Sequence, residues 1–292
     1  MGCASPHAPA PHRLDYQAHR GGRALRPENT LDSFQHGIEL GVDTLEMDVM
    51  LTADDVLVVH HDERLNPDIT RDETGAWLAA TGPALRTLTL AQLRGYDVGR
   101  IHPATAYAAR FPDQLGRDGV RIPTLREVIE LAERLSHRRI RYNLEIKTTP
   151  AHPGDTAPPQ IVADRMVALV RELGITGRTT IQSFDWRGLH RVADIAPELP
   201  RSCLTDADTM QGSTWTDGVD GGGSVPQRVH AFGCQIWSPD ETTLTVAQVA
   251  EAHQLGLAVL PWTVNTPEAI ARMIAWHVDG IISDFPDRLP RR

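Results

Sequence analysis

Thr179-Thr180-Ile181-Gln182-Ser183-Phe184 is a short, largely apolar run, a helical pattern follows from Trp186 to Ile195, and Ser202-Cys203-Leu204-Thr205 is a second short run. A strand, a helix and another strand in so short a span predict a βαβ unit, the building block of parallel sheets. The alternation extends in both directions. Upstream, strands are expected over Asp15–His19, Thr44–Leu51 and Arg141–Lys147, and downstream over Gln235–Trp237, Ala258–Thr263 and Gly280–Ser283. Helices are expected from Pro27-Glu28-Asn29-Thr30 through Leu40, over Thr124–Leu135, up to Gly174, over Thr245–Leu255 and over Pro267–Trp276. Strands starting near 15, 44, 141, 179, 202, 235, 258 and 280 make eight units, which predict a closed (β/α)8 TIM barrel. An open doubly wound sheet would carry a Gly-x-Gly-x-x-Gly turn after its first strand, and none follows Asp15–His19.

The pattern lapses once. A short return strand, Val56–His60, follows strand two, and residues 63 to 122 then carry Asn66-Pro67, Thr81-Gly82-Pro83, His102-Pro103 and Phe111-Pro112. This reads as a small inserted subdomain over one end of the barrel, with a short helix at Leu88–Leu93. Strands five and six are expected to join through a loop containing Gly221-Gly222-Gly223. Residues 1–13 read as a flexible tail and 14–292 as the barrel domain.

The 292 residues suffice for one large barrel or two average domains. No apolar run approaches 18 residues, so no transmembrane segment is expected. Twenty-nine Lys and Arg against 38 Asp and Glu give a net charge of −9, which argues against nucleic acid as a partner. An anionic substrate would then need a local positive focus from a bound cation and a few Arg or Lys. Cys3, Cys203 and Cys234 lack metal-ligand spacing. They read either as two core thiols and a tail thiol, or as a Cys203–Cys234 disulfide made in an oxidising compartment. Met1-Gly2-Cys3-Ala4-Ser5 resembles the processed start of a bacterial lipoprotein, so a periplasmic or cell-envelope location through Cys3 is expected, with a cytoplasmic one as the alternative.

Polar residues collect at the strand ends of the first half. His19-Arg20-Gly21-Gly22 closes strand one, its glycines letting the backbone turn sharply beside a ligand. Glu46 and Asp48 share one face of strand two, as Glu145 and Lys147 do of strand three. Buried carboxylates side by side repel unless a cation lies between them; the alternative leaves them solvated or salt-bridged. Grouped at the carboxyl-terminal mouth, Glu46, Asp48 and Glu145 form a hard oxygen site suited to one divalent cation, Mg2+ or Ca2+, and not to zinc. Of the pair His60-His61, His61 is the candidate to reach the mouth. Phe184 and Trp262 are candidates for an apolar wall against substrate, with core packing as the alternative. Ser183 has no nucleophile elbow around it, so a serine hydrolase is excluded.

These motifs resemble the glycerophosphodiester phosphodiesterases. The likeness spans His19 to Leu289 through Ala18-His19-Arg20-Gly21, Pro27-Glu28-Asn29-Thr30, Glu46-Met47-Asp48-Val49, His61-Asp62, Leu144-Glu145-Ile146-Lys147, Gln182-Ser183-Phe184-Asp185 and Gly280-Ile281-Ile282-Ser283-Asp284. It implies a TIM barrel with an inserted subdomain, metal ligands at Glu46, Asp48 and Glu145, catalytic histidines at His19 and His61, and phosphate contacts from Arg20 and Lys147. The implied reaction converts glycerophosphocholine or glycerophosphoethanolamine to sn-glycerol 3-phosphate and an alcohol. His19 is assigned as base and His61 as acid, the reverse and a cyclic-phosphate route remaining open. The alternatives are a lysophospholipase-D or sphingomyelinase-D-like enzyme giving a cyclic phosphate, and a non-catalytic glycerophosphodiester-binding protein.

Overall fold

A computed structural model describes residues 13–219 and 222–290. The expected tail, with Cys3, lies outside the described residues except for Arg13. Among these residues nine strands form: β1 (Asp15–Ala18), β2 (Thr44–Leu51), β3 (Leu57–Val59), β4 (Arg141–Ile146), β5 (Thr179–Ser183), β6 (Arg201–Thr205), β7 (Ile236–Pro239), β8 (Ala258–Val259) and β9 (Gly280–Ser283). The helices are α1 (Leu31–Leu40), α2 (Leu90–Leu93), α3 (Ala106–Arg110), α4 (Leu125–Leu135), α5 (Pro159–Glu172), α6 (Trp186–Ile195), α7 (Val225–Phe232), α8 (Val246–Gln254) and α9 (Pro267–Ala275).

Eight strands pair in parallel in the order β8-β7-β6-β5-β4-β2-β1-β9, and β3 returns antiparallel on β2. Backbone bonds from Asp279 to Val259 (2.9 Å) and from Ile282 to Pro261 (3.1 Å) bring β9 against the β8 segment, so the sheet is a nearly closed TIM barrel.

Alternation along β2 explains the layering. Leu45, Met47 and Val49 join the apolar core shared with the helices, whereas Glu46 and Asp48 face inward. The interior carries a polar column. Gln182 donates to Glu46 (2.8 Å), Asn143 donates to Gln182 (2.8 Å) and Gln17 (2.9 Å), and Gln17 donates to Asp15 (2.9 Å). The segment between β3 and α4 has its own apolar cluster, with Leu65, Leu85, Leu93, Val98, Val120 and Ile122 packed against Met50 and Val58 of the barrel.

The structure departs from the sequence expectation at several points. The loop between β6 and β7 contains α7, whose start is hidden by the glycines before it and by Pro226. That proline belongs in a first helical turn, and Ser224 and Gln227 cap it reciprocally. Helix α3 also went unread, and the expected helix at 88–93 is a 310 turn, Leu85–Thr87, followed by α2. Strand β8 is short, its course continuing as a bridge between Asp240 and Trp262 and as single backbone bonds to both neighbouring strands. Cys203 and Cys234 are joined, with Cα atoms 6.0 Å apart, so the reading as free core thiols is corrected. No helix among the described residues is long and apolar enough to cross a membrane.

Candidate active site

The turn after β1 builds one side of the site. Ala18 ends the strand, and His19–Gly21 turn sharply, with Arg20 at φ 51° and Gly21 at φ 80°. A Cβ on Gly21 would lie 2.4 Å from Ser33 Oγ, so only glycine lets the turn sit on the start of α1. In this conformation the Arg20 backbone N–H donates to Glu46 Oε2 at 2.8 Å.

Glu46, Asp48 and Glu145 each offer an oxygen, all within 4.8 Å of one another, and all three are buried. Parallel pairing sets Asp48 beside Glu145 across β2 and β4. Lys147 Nζ lies 3.0 Å from Glu145 and 3.6 Å from Asp48, Arg20 Nε lies 3.4 Å from Asp48, and Asn29 donates to Asp48 at 2.8 Å. Burial would raise Asp48, but His61, Arg20 and Lys147 hold it well below the usual carboxylate range. Burial pushes Glu46 well above that range, with Asp48 and Glu145 adding repulsion. It raises Glu145 to about 7 even against Lys147. Three buried carboxylates faced by two side-chain cations are short of positive charge, and an all-oxygen donor set of this size fits a hard divalent cation.

His19 and His61 line one cavity of about 90 Å3 together with Arg20, Arg23, Lys147, Gln182, Phe184 and Trp262. Each histidine is fixed through Nδ1: His19 by Asp284 at 2.5 Å, His61 by Asp62 at 2.7 Å. An Nδ1–H bound to a carboxylate leaves Nε2 as the free ring nitrogen. For His19 that nitrogen is 4.0 Å from Glu46 Oε2. Burial lowers both imidazoles, His61 to about 4 with Arg20 and Lys147 adding to the effect, and His19 against the opposing charge of Asp284. His60 is packed in the interior, its backbone N–H donating to the Asp48 backbone carbonyl. Phe184 and Trp262 meet edge to face at 5.3 Å, with Lys147 Nζ 5.8 Å from the Phe184 ring centre.

Thus the seven positions expected to carry chemistry converge, and Phe184 and Trp262 stand beside them. Sequence reasoning missed Asp284, which is fully buried and accepts from His19, Arg23 (2.6 Å) and Asn265 (2.8 Å). It also missed Arg23 and gave no role to Glu28, which accepts from Arg20 at 2.6 Å. Ser283-Asp284 at the end of the last strand was the available signal, but its partner lies 265 residues away.

A phosphate diester demands positive charge for its non-bridging oxygens and proton carriers on a rigid frame. Fold and site together define a TIM-barrel phosphodiesterase. Comparison with known proteins is more specific. The glycerophosphoryl diester phosphodiesterase family model matches residues 19–288. A glycerophosphodiester phosphodiesterase of Caldanaerobacter subterraneus is 30% identical over 273 residues, covering 93% of this chain and 94% of that protein. A solved structure from Silicibacter pomeroyi, assigned as a glycerophosphoryl diester phosphodiesterase, is 38% identical with a TM-score of 0.87, covering 96% of this chain and 92% of that one. A phosphodiesterase of Oleispira antarctica, solved with its product sn-glycerol-3-phosphate, shares the fold at 22% identity and a TM-score of 0.71, covering 94% of each chain. The chain belongs to the glycerophosphoryl diester phosphodiesterase family. It is an enzyme of that type, a hydrolase of glycerophosphodiesters.

Proposed function

We propose that the chain cleaves glycerophosphodiesters with small head groups, such as glycerophosphocholine and glycerophosphoethanolamine, to sn-glycerol 3-phosphate and the free alcohol, in a reaction that requires a divalent cation. The observation that carries this reading is the pair of carboxylate-anchored histidines sharing one small cavity with the buried acidic triad. Glu46, Asp48 and Glu145 would hold Mg2+ or Ca2+, which when bound supplies Lewis-acid stabilisation of the phosphate charge.

Arg20 and Lys147 neutralise the non-bridging oxygens. In the free enzyme both imidazoles are held toward the neutral form, so either Nε2 can accept a proton from the attacking oxygen, which is that of water or of the neighbouring glycerol hydroxyl, the latter closing a cyclic phosphate that water then opens. The entering phosphodiester brings negative charge, which raises both rings and favours protonation of the one facing the leaving oxygen. One histidine therefore takes a proton while the other gives one; His19 is assigned as base and His61 as acid. Phe184 and Trp262 form the apolar wall of the cavity. Residues 63–122 are taken as an inserted subdomain of the barrel. The Cys203–Cys234 disulfide supports a periplasmic or cell-envelope location over a cytoplasmic one; cell fractionation with detection of the chain tests it.

The test of the activity is release of sn-glycerol 3-phosphate from a panel of glycerophosphodiesters with Mg2+ or Ca2+. Release from the choline and ethanolamine esters is expected. No release from any ester with either ion contradicts the proposal.

A further inference from the structure

We infer that Tyr107 is a positioning residue for the site's arginines, which makes the inserted segment of residues 63–122 a working part of the active site. Tyr107 sits on α3 and meets the charged network through its hydroxyl. Its hydroxyl donates to Glu28 Oε2 and accepts from Arg23 Nη1 at 3.3 Å. The other oxygen of Glu28 accepts from Arg20 Nη1 at 2.6 Å. One hydroxyl therefore ties together the two arginines that line the cavity.

The geometry gives this contact a purpose. Glu28 lies between two guanidinium groups, and a carboxylate in that position can pair with either. A two-pronged pairing with Arg23 would draw it away from Arg20. With the hydroxyl occupying Oε2, Oε1 stays directed at Arg20, whose Nε keeps no hydrogen-bond partner beside Asp48. Tyr107 is itself braced. Phe111 packs edge-on at 5.3 Å and Arg110 lies 5.6 Å from its ring centre. The same segment grips the arginine loop directly, with Gln114 donating to the Arg23 carbonyl at 2.6 Å and the Leu115 N–H to that of Leu25 at 3.0 Å.

The inference rests on the reading of Arg20 as a phosphate contact, and its test separates the two. Steady-state hydrolysis of glycerophosphocholine and calorimetric binding of sn-glycerol 3-phosphate are measured, with saturating cation, for the wild type, Tyr107→Phe, Glu28→Gln and the double variant. Tyr107→Phe keeps the braced ring and removes only the hydroxyl. It is expected to raise KM and the Kd of sn-glycerol 3-phosphate about tenfold, with kcat within about threefold. Because Tyr107 acts through Glu28, the double variant should bind no more weakly than Glu28→Gln alone. Unchanged KM and Kd in Tyr107→Phe, or additive losses in the double variant, overturn the inference. If the wild type bound sn-glycerol 3-phosphate without turning over the diester, the proposed reaction would fail, and the binding cycle would still decide the role of Tyr107.

Discussion

Asp284→Asn keeps the shape of the side chain on which His19 rests and removes its charge. In the native site that carboxylate accepts from His19 at 2.5 Å, Arg23 at 2.6 Å and 3.3 Å, and Asn265 at 2.8 Å, with no exposure to solvent. An amide offers one oxygen to these donors and turns its own N–H2 toward the rest. Leaving the buried Arg23 without its anion costs about 3 kcal/mol, or roughly 5 °C in melting temperature for a chain of this length. The chemical cost is larger, because without an anion at Nδ1 the His19 ring is free to adopt the other tautomer and turn Nε2–H toward the substrate. A fall in kcat of about a thousandfold follows, by analogy with the loss of an orienting carboxylate in other histidine-dependent sites. Asp284 is held far below its ordinary value, despite its burial, by His19 and Arg23. Its stabilisation is thus present above the unfolded value of about 3.9 and is lost as pH falls toward the folded one, a dependence the Asn variant lacks. Steady-state release of sn-glycerol 3-phosphate and thermal melts from neutral to acid pH measure both effects. A variant that is folded and within tenfold of wild-type kcat refutes the orienting role.

Cation affinity should depend on pH. Glu145, raised to about 7, must lose its proton to act as a ligand, so calorimetric binding of Mg2+ or Ca2+ should weaken about tenfold from pH 8 to pH 6; a flat profile contradicts the triad as ligand set. Trp262→Ala opens the wall against Phe184 and should raise KM for glycerophosphocholine roughly fivefold with little change in kcat, and unchanged KM assigns Trp262 to packing alone. Replacing Cys203 and Cys234 by Ser removes a link between residues 31 apart in sequence. By chain entropy the loss is about 3–4 kcal/mol, visible in a denaturant titration, and an unchanged midpoint argues against the bridge.

What the sequence reveals here follows from range. Strand and helix periods are local, so β2, α6 and β9 could be read to their ends from Thr44–Leu51, Trp186–Ile195 and Gly280–Ser283. The barrel follows from counting such units, and Glu46 and Asp48 share a face by simple alternation. Helix α7 was lost because a short helix beginning Val225-Pro226 after a glycine-rich stretch looks like loop, and only the Ser224–Gln227 cap announces it. Asp284 and Tyr107 are different cases. Their meaning comes from partners 265 and 79 positions away, His19 and Glu28, which only closure of the barrel and docking of the inserted segment bring near. The same holds for Cys203 and Cys234, whose pairing depends on β6 lying beside β7.

The most direct test of the central claim is turnover of glycerophosphocholine by His19→Ala and His61→Ala, each with saturating cation and each shown to be folded. Paired acid–base catalysis predicts that either variant loses about 10²–10⁴-fold in kcat. Near-normal release of sn-glycerol 3-phosphate by either variant contradicts it.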